Sequence, residues 1–196
     1  MSEIERRAVA IEVAELRADA DEPRLAGYAA IFGSRTDLGY FSEEIQAGAF
    51  TGVLGDDVRA LFNHSPDHVL GRTRAGTLRI GQDDRGLRYE VDLNPEDPDA
   101  MQLYSRVKRG DITGSSFSFM VAEDAWDYEQ DPPHRTIVRL GQLFDVAPVT
   151  FPAYDAAVVS ARTKDAAGKE RHPKAGAAPV THGVRERLLD LAAREL

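Results

Sequence analysis

The chain has 196 residues, 42% of them hydrophobic and 29% charged, which suits one folded domain with its own core. Its formal net charge of −9 and the lack of any basic block argue against nucleic-acid binding. It contains no cysteine, which excludes disulfides, thiolate nucleophiles and zinc–thiolate sites and fits a reducing compartment. No run approaches the ~18 apolar residues of a membrane span. The opening residues lack the apolar core of a secretion signal, so a soluble intracellular protein is expected.

Val9, Ile11 and Val13 alternate with Ala10, Glu12 and Ala14, a period of two that predicts a strand. A second strand is expected from Leu25 to Phe32. Ser42 followed by Glu43 and Glu44 reads as a helix N-cap with acidic residues in the first turn. A short helix from Glu43 to about Leu54 is therefore expected, weakened by Gly48 and Gly52. Val58 to Phe62 is a short apolar run ending at Asn63-His64. Leu78–Ile80 and Leu87–Leu93 flank a turn, with Gly86 available for a positive φ, and predict a hairpin. A helix follows, with Asp97 as cap, Pro98 at its first position and Gly110 as its stop. Ser115–Val121 and Thr136–Phe144 are strands, and Val146 to about Ser160 is the last core segment. Thr163–Gly183 is rich in Ala, Gly, Lys and Pro and reads as a linker. Val184–Leu196 carries one apolar stripe and predicts a short amphipathic helix. The expected fold is α+β and mainly β, an antiparallel β-barrel or strongly curved sheet with a few short helices. A doubly wound parallel sheet would need a helix after nearly every strand.

Three hydroxyls, Ser115, Ser116 and Ser118, crowd one predicted strand. Alternation sets Phe117 and Phe119 on one face and Ser116, Ser118 and Met120 on the other. Such serines commonly bond across a sheet. To act as a nucleophile, one of them needs a base within reach. His64, at the end of an apolar run, is suited to that role, and equally to a satisfied loop histidine. His68 lies four residues on, beyond Pro66. Asp145 sits within the apolar run Leu143–Ala147, where a carboxylate needs a partner: a histidine to orient, or an arginine. His134, His172 and His182 read as solvated. No Gly-x-Ser-x-Gly elbow, phosphate-binding glycine loop or His-Glu-x-x-His is present.

Taken in order, several segments resemble the HK97-type prohead proteases of tailed bacteriophages, relatives of the herpesvirus assembly proteases. They are Gly27–Phe32, Gln46–Phe50, Ala60–His64, Val69–Thr73, Asp84–Leu87, Gly110–Phe119 and Val149–Tyr154. The resemblance covers about Leu25 to Arg162 and rests on the order and spacing of the set. It implies a serine endopeptidase with an assemblin-like fold, with His64 and Ser116 as the catalytic pair. Where the family often has Gly, this chain has Ser118, and Ser115 also departs from the pattern. The third catalytic member is Asp145 or His68, with Asp145 favoured. The resemblance further implies no metal or cofactor. It implies major capsid protein and scaffolding segments as substrates, self-cleavage, a possible dimer, and work inside the assembling prohead in the host cytoplasm. Residues 1–162 would form the protease domain, 163–183 a linker and 184–196 a terminal helix. A serine hydrolase of small acyl substrates and a non-enzymatic capsid scaffold are the competing readings.

Overall fold

The computed structural model describes residues 4–10, 18–19 and 22–151. The proposed linker and terminal helix lie outside the described residues, as do Ile11 and Val13 of the first predicted strand. In chain order the strands are β1 (Glu5–Ala10), β2 (Ala18–Asp19), β3 (Glu22–Ile31), β4 (Thr36–Asp37), β5 (Ser42–Ile45), β6 (Arg59–Leu61), β7 (Val69–Arg72), β8 (Leu78–Gln82), β9 (Gly86–Asp92), β10 (Gly114–Asp127) and β11 (His134–Val149). Among the described residues a single α-helix, α1 (Pro98–Arg109), joins β9 to β10.

The α1 boundaries follow its caps. The Asp97 carboxylate accepts hydrogen bonds from the Asp99 and Ala100 amides, and Pro98 needs no partner at the first position. Gly110 ends the helix in the left-handed region, φ 86°, where a side chain is disfavoured. Ala100 and Leu103 face the core. In the β8–β9 hairpin, the Asp83 side chain accepts from the Arg85 and Gly86 amides. Gly86 is needed for space rather than for a positive φ. A Cβ there would stand 2.0 Å from the Ala30 carbonyl oxygen, at the bulge where β3 meets β9.

The strands form two sheets. The smaller is antiparallel, in the order β2-β3-β9-β8. The larger is mixed, in the order β1-β10-β11-β5-β4, with β6 on β11 and β7 on β6. β11 is antiparallel to β10, but parallel to β5 at its start and to β6 near its end. The fold is thus mainly β and α+β, as expected, but not wholly antiparallel. Among the described residues the sheets do not close into a barrel. One core cluster joins both sheets. At its centre Phe117 packs edge-on to Phe50 and stacks on Phe119. Each such fully buried aromatic contributes roughly 1.5–3 kcal/mol.

The expected helix from Glu43 to Leu54 does not form. Residues 42–45 are strand β5, followed by turns through Gly48, φ 85°. The reason is tertiary. Ser42 does not cap a helix; its hydroxyl bonds Nδ1 of His134, and both are buried. Glu43 is buried against Arg7 and Arg135. Pairing with β11 satisfies the backbone and these side chains together, which overrides weak local propensity.

Candidate active site

β10 runs between β1 and β11, and its pleat sorts the three hydroxyls. Ser115 faces the core and bonds the Tyr89 hydroxyl at 2.8 Å. Burial pushes that phenol up to about 12. Ser116 and Ser118 face the opposite side, each only 2% exposed. Asp145 on β11 lies directly across from Ser118.

His64 arrives from the turn after β6. That turn is unusual: Asn63 and His64 are consecutive non-glycine residues in the left-handed region, φ 53° and 57°. Each such residue costs of order 1 kcal/mol and persists only where its surroundings fix it. The fixing groups are on the end of β11. The Asn63 amide donates to the Pro148 carbonyl at 3.0 Å. Its side chain accepts from the Thr150 amide at 2.8 Å and donates to the Thr150 hydroxyl at 3.1 Å.

The result is a continuous chain. Nδ1 of His64 lies 2.5 Å from Oδ1 of Asp145, and Nε2 lies 2.6 Å from the Ser116 hydroxyl. A carboxylate at Nδ1 holds the proton on that nitrogen and leaves the Nε2 lone pair facing Ser116, the tautomer of a general base. Ser118 stands 3.2 Å from Nδ1 and is a further neighbour of the imidazole. Ser116 has a second acceptor within reach of its one hydroxyl hydrogen: the Arg7 carbonyl on β1, at 2.9 Å.

His68 does not join this group. It is exposed, its ring meets Phe62 edge-on, and it lines a separate depression beside the start of α1. Of the predicted residues, the structure brings Ser116, His64 and Asp145 together and leaves His68 apart. His134, read as solvated, is instead buried against Ser42. Among the described residues no three His, Cys, Asp or Glu side chains are grouped to hold a metal ion.

Sequence reasoning missed the clamp formed by Asn63 and the ionic cluster behind β1. In that cluster Glu43 bonds Arg7 and Arg135, and Arg135 also reaches Glu5 and Asp124. Burial alone would raise the Glu5 carboxyl, but Arg135 and Arg7 outweigh it and hold it below the usual range. Burial likewise pulls Arg135 down, and its carboxylate partners more than offset this, leaving it firmly charged. The only local signal for the clamp was the tolerance of Asn for left-handed backbone.

A serine hydroxyl, an imidazole and a carboxylate aligned on a β scaffold have the geometry of a serine hydrolase. The chain belongs to the caudovirus prohead serine protease family, whose model matches residues 9–171. No curated protein and no solved structure matches it.

Proposed function

We propose that Ser116, His64 and Asp145 are the nucleophile, general base and orienting carboxylate of an endopeptidase that cuts capsid and scaffolding proteins within the assembling prohead. The reading rests on the unbroken Ser116–His64–Asp145 hydrogen-bond chain in a member of a serine protease family.

His64 Nε2 takes the Ser116 proton as Oγ attacks a peptide carbonyl carbon. The resulting imidazolium is stabilised by Asp145 across Nδ1. The C–N bond then breaks, and His64 delivers its proton to the leaving amine. Water, deprotonated by the same imidazole, hydrolyses the acyl-enzyme and restores Ser116. Ser118 can share the Nδ1 proton, so the ring is held from two sides.

Incubation with a fluorophosphonate probe followed by peptide mapping tests the assignment. Label on Ser116, abolished by His64→Ala, is expected; label on Ser115 or Ser118, or none, refutes it. Processing of capsid protein at the normal rate by Ser116→Ala would refute the role of that serine directly. The same protease is expected to cut its own chain within the tail 163–196 and to dimerise. Intact-mass measurement and sedimentation velocity are the respective checks.

A further inference from the structure

The strand that covers the nucleophile points to how a peptide would bind. β1 pairs antiparallel with the stretch of β10 that carries the serines, from Glu5 opposite Phe119 to Ala10 opposite Gly114. Among the described residues it forms the edge of the sheet there. Resting on the protease reading above, we propose that the β10 edge beside Ser116 is the substrate-binding edge. β1 occupies it as an internal stand-in for an extended peptide. The buried Glu43 selects a basic side chain at the residue whose carbonyl meets Ser116.

The first argument is the proton. The Ser116 hydroxyl has one hydrogen, and two acceptors compete for it: the Arg7 carbonyl and His64 Nε2. While Arg7 holds it, His64 cannot remove it, so this arrangement is a resting state. In a productive complex the peptide carbonyl presents its carbon to Oγ, and the hydrogen returns to Nε2.

The second argument is access. Ser116 is 2% exposed with β1 in place. An entering peptide must reach it, and a sheet edge offers a row of unpaired N–H and C=O groups once its strand leaves. Adding a strand to such an edge is a standard way to bind extended peptides.

The third argument is charge. Arg7 donates to both Glu43 and Glu5, and its guanidinium lies 5.8 Å from the Phe119 ring centroid. With β1 seated, the buried Glu43 bonds two guanidiniums, those of Arg7 and Arg135. Without β1 it keeps Arg135 alone, which Asp124 also holds. A second cation beside a buried carboxylate offsets its desolvation, so the vacated edge favours a peptide with Arg or Lys at the position of Arg7.

Two measurements on the full chain test this. The first is amide hydrogen exchange on Ser116→Ala, which cannot turn substrate over. A synthetic peptide copying residues 5–10 is added, alongside one with Gln in place of Arg7. The Arg peptide should deprotect the β1 amides while β10 stays protected, and the Gln peptide should need about tenfold higher concentration. Protection of β1 that persists at saturating peptide, or equal potency of the two peptides, overturns the proposal. The second is fluorophosphonate labelling of Arg7→Glu, whose new carboxylate repels Glu43. Labelling of Ser116 should accelerate at least severalfold, and slower labelling overturns the inhibitory role of β1. Failure of the wild-type chain and every variant to label would instead refute the protease reading, and the exchange arm would still decide where peptide binds.

Discussion

Replacing Asp145 with Asn isolates the carboxylate from the rest of the site. The change keeps side-chain volume, so the buried packing of β11 is preserved. It removes the charge 2.5 Å from Nδ1. An amide can present its NH2 to the ring, which then carries its proton on Nε2 and loses its ability to accept from Ser116. Loss of the orienting carboxylate costs about 10⁴ in turnover in the serine protease used as the general template. Here Ser118, 3.2 Å from Nδ1, can still accept the Nδ1 proton and keep part of the population in the productive tautomer. The expected loss is therefore about 10³-fold in kcat, roughly 4 kcal/mol at 1.36 kcal/mol per decade, with KM little changed. Single-turnover cleavage of a peptide substrate measures it, and a thermal melt checks that the fold survives. Ser118→Ala alone should cost only a few-fold, whereas the double variant should lose more than the product of the two. Asp145→Asn with turnover within threefold of wild type would refute the role given to the carboxylate.

Three further outcomes follow from particular contacts. Asn63→Ala removes both bonds to Thr150 and sets Ala at φ 53°; it should cost about 2 kcal/mol in stability, from strain and lost hydrogen bonds, and lower kcat. Asn63→Gly, which tolerates the backbone, should recover part of the stability in a denaturant melt. Gly86→Ala drives a methyl into the Ala30 carbonyl and should lower stability by about 2 kcal/mol, read as a fall in Tm without a change in KM. Asp92 accepts from Arg79 and Arg24, which hold its carboxyl at about 2 against an ordinary 3.8. Its contribution is complete above the unfolded value and lost as pH falls through the folded one. The denaturant midpoint of wild type should exceed that of Asp92→Asn at pH 5, and the difference should shrink toward zero as pH falls below about 2.

Features set by near neighbours were legible. The caps of α1, the β8–β9 turn and the pleat of β10 are all written in contiguous residues, and each forms close to where expected. The failure at Glu43 has the opposite origin. Its immediate context, a serine followed by two acids, fits a helix start. Its fate is set by Arg7, 36 residues earlier, and by Arg135, 92 residues later. No periodicity within a window reports such partners. The same holds for parallel pairing: the short β5 and β6 carry no mark of which strand they will join. His64 and Asp145 are 81 residues apart; the apolar run around Asp145 called for a histidine or an arginine, and the ordered set of family-like segments pointed to His64.

The position of Asp145 shows how local irregularity creates the site. Leu143 and Asp145 are two apart on one strand, and a regular pleat would put both on the same face. They do not share a face, because the β10–β11 register shifts between them: Ser118 pairs with Asp145, but Phe119 pairs with Leu143. Phe144 is the extra residue of a β-bulge. The bulge lets Leu143 follow Phe119 into the core while Asp145 stays beside Ser118 on the face of His64. The amide of Leu143, displaced from the regular ladder, donates instead to the Asp56 carboxylate at 2.9 Å. An apolar run interrupted by one carboxylate is thus two registers joined at Phe144, one serving the core and the other serving the histidine.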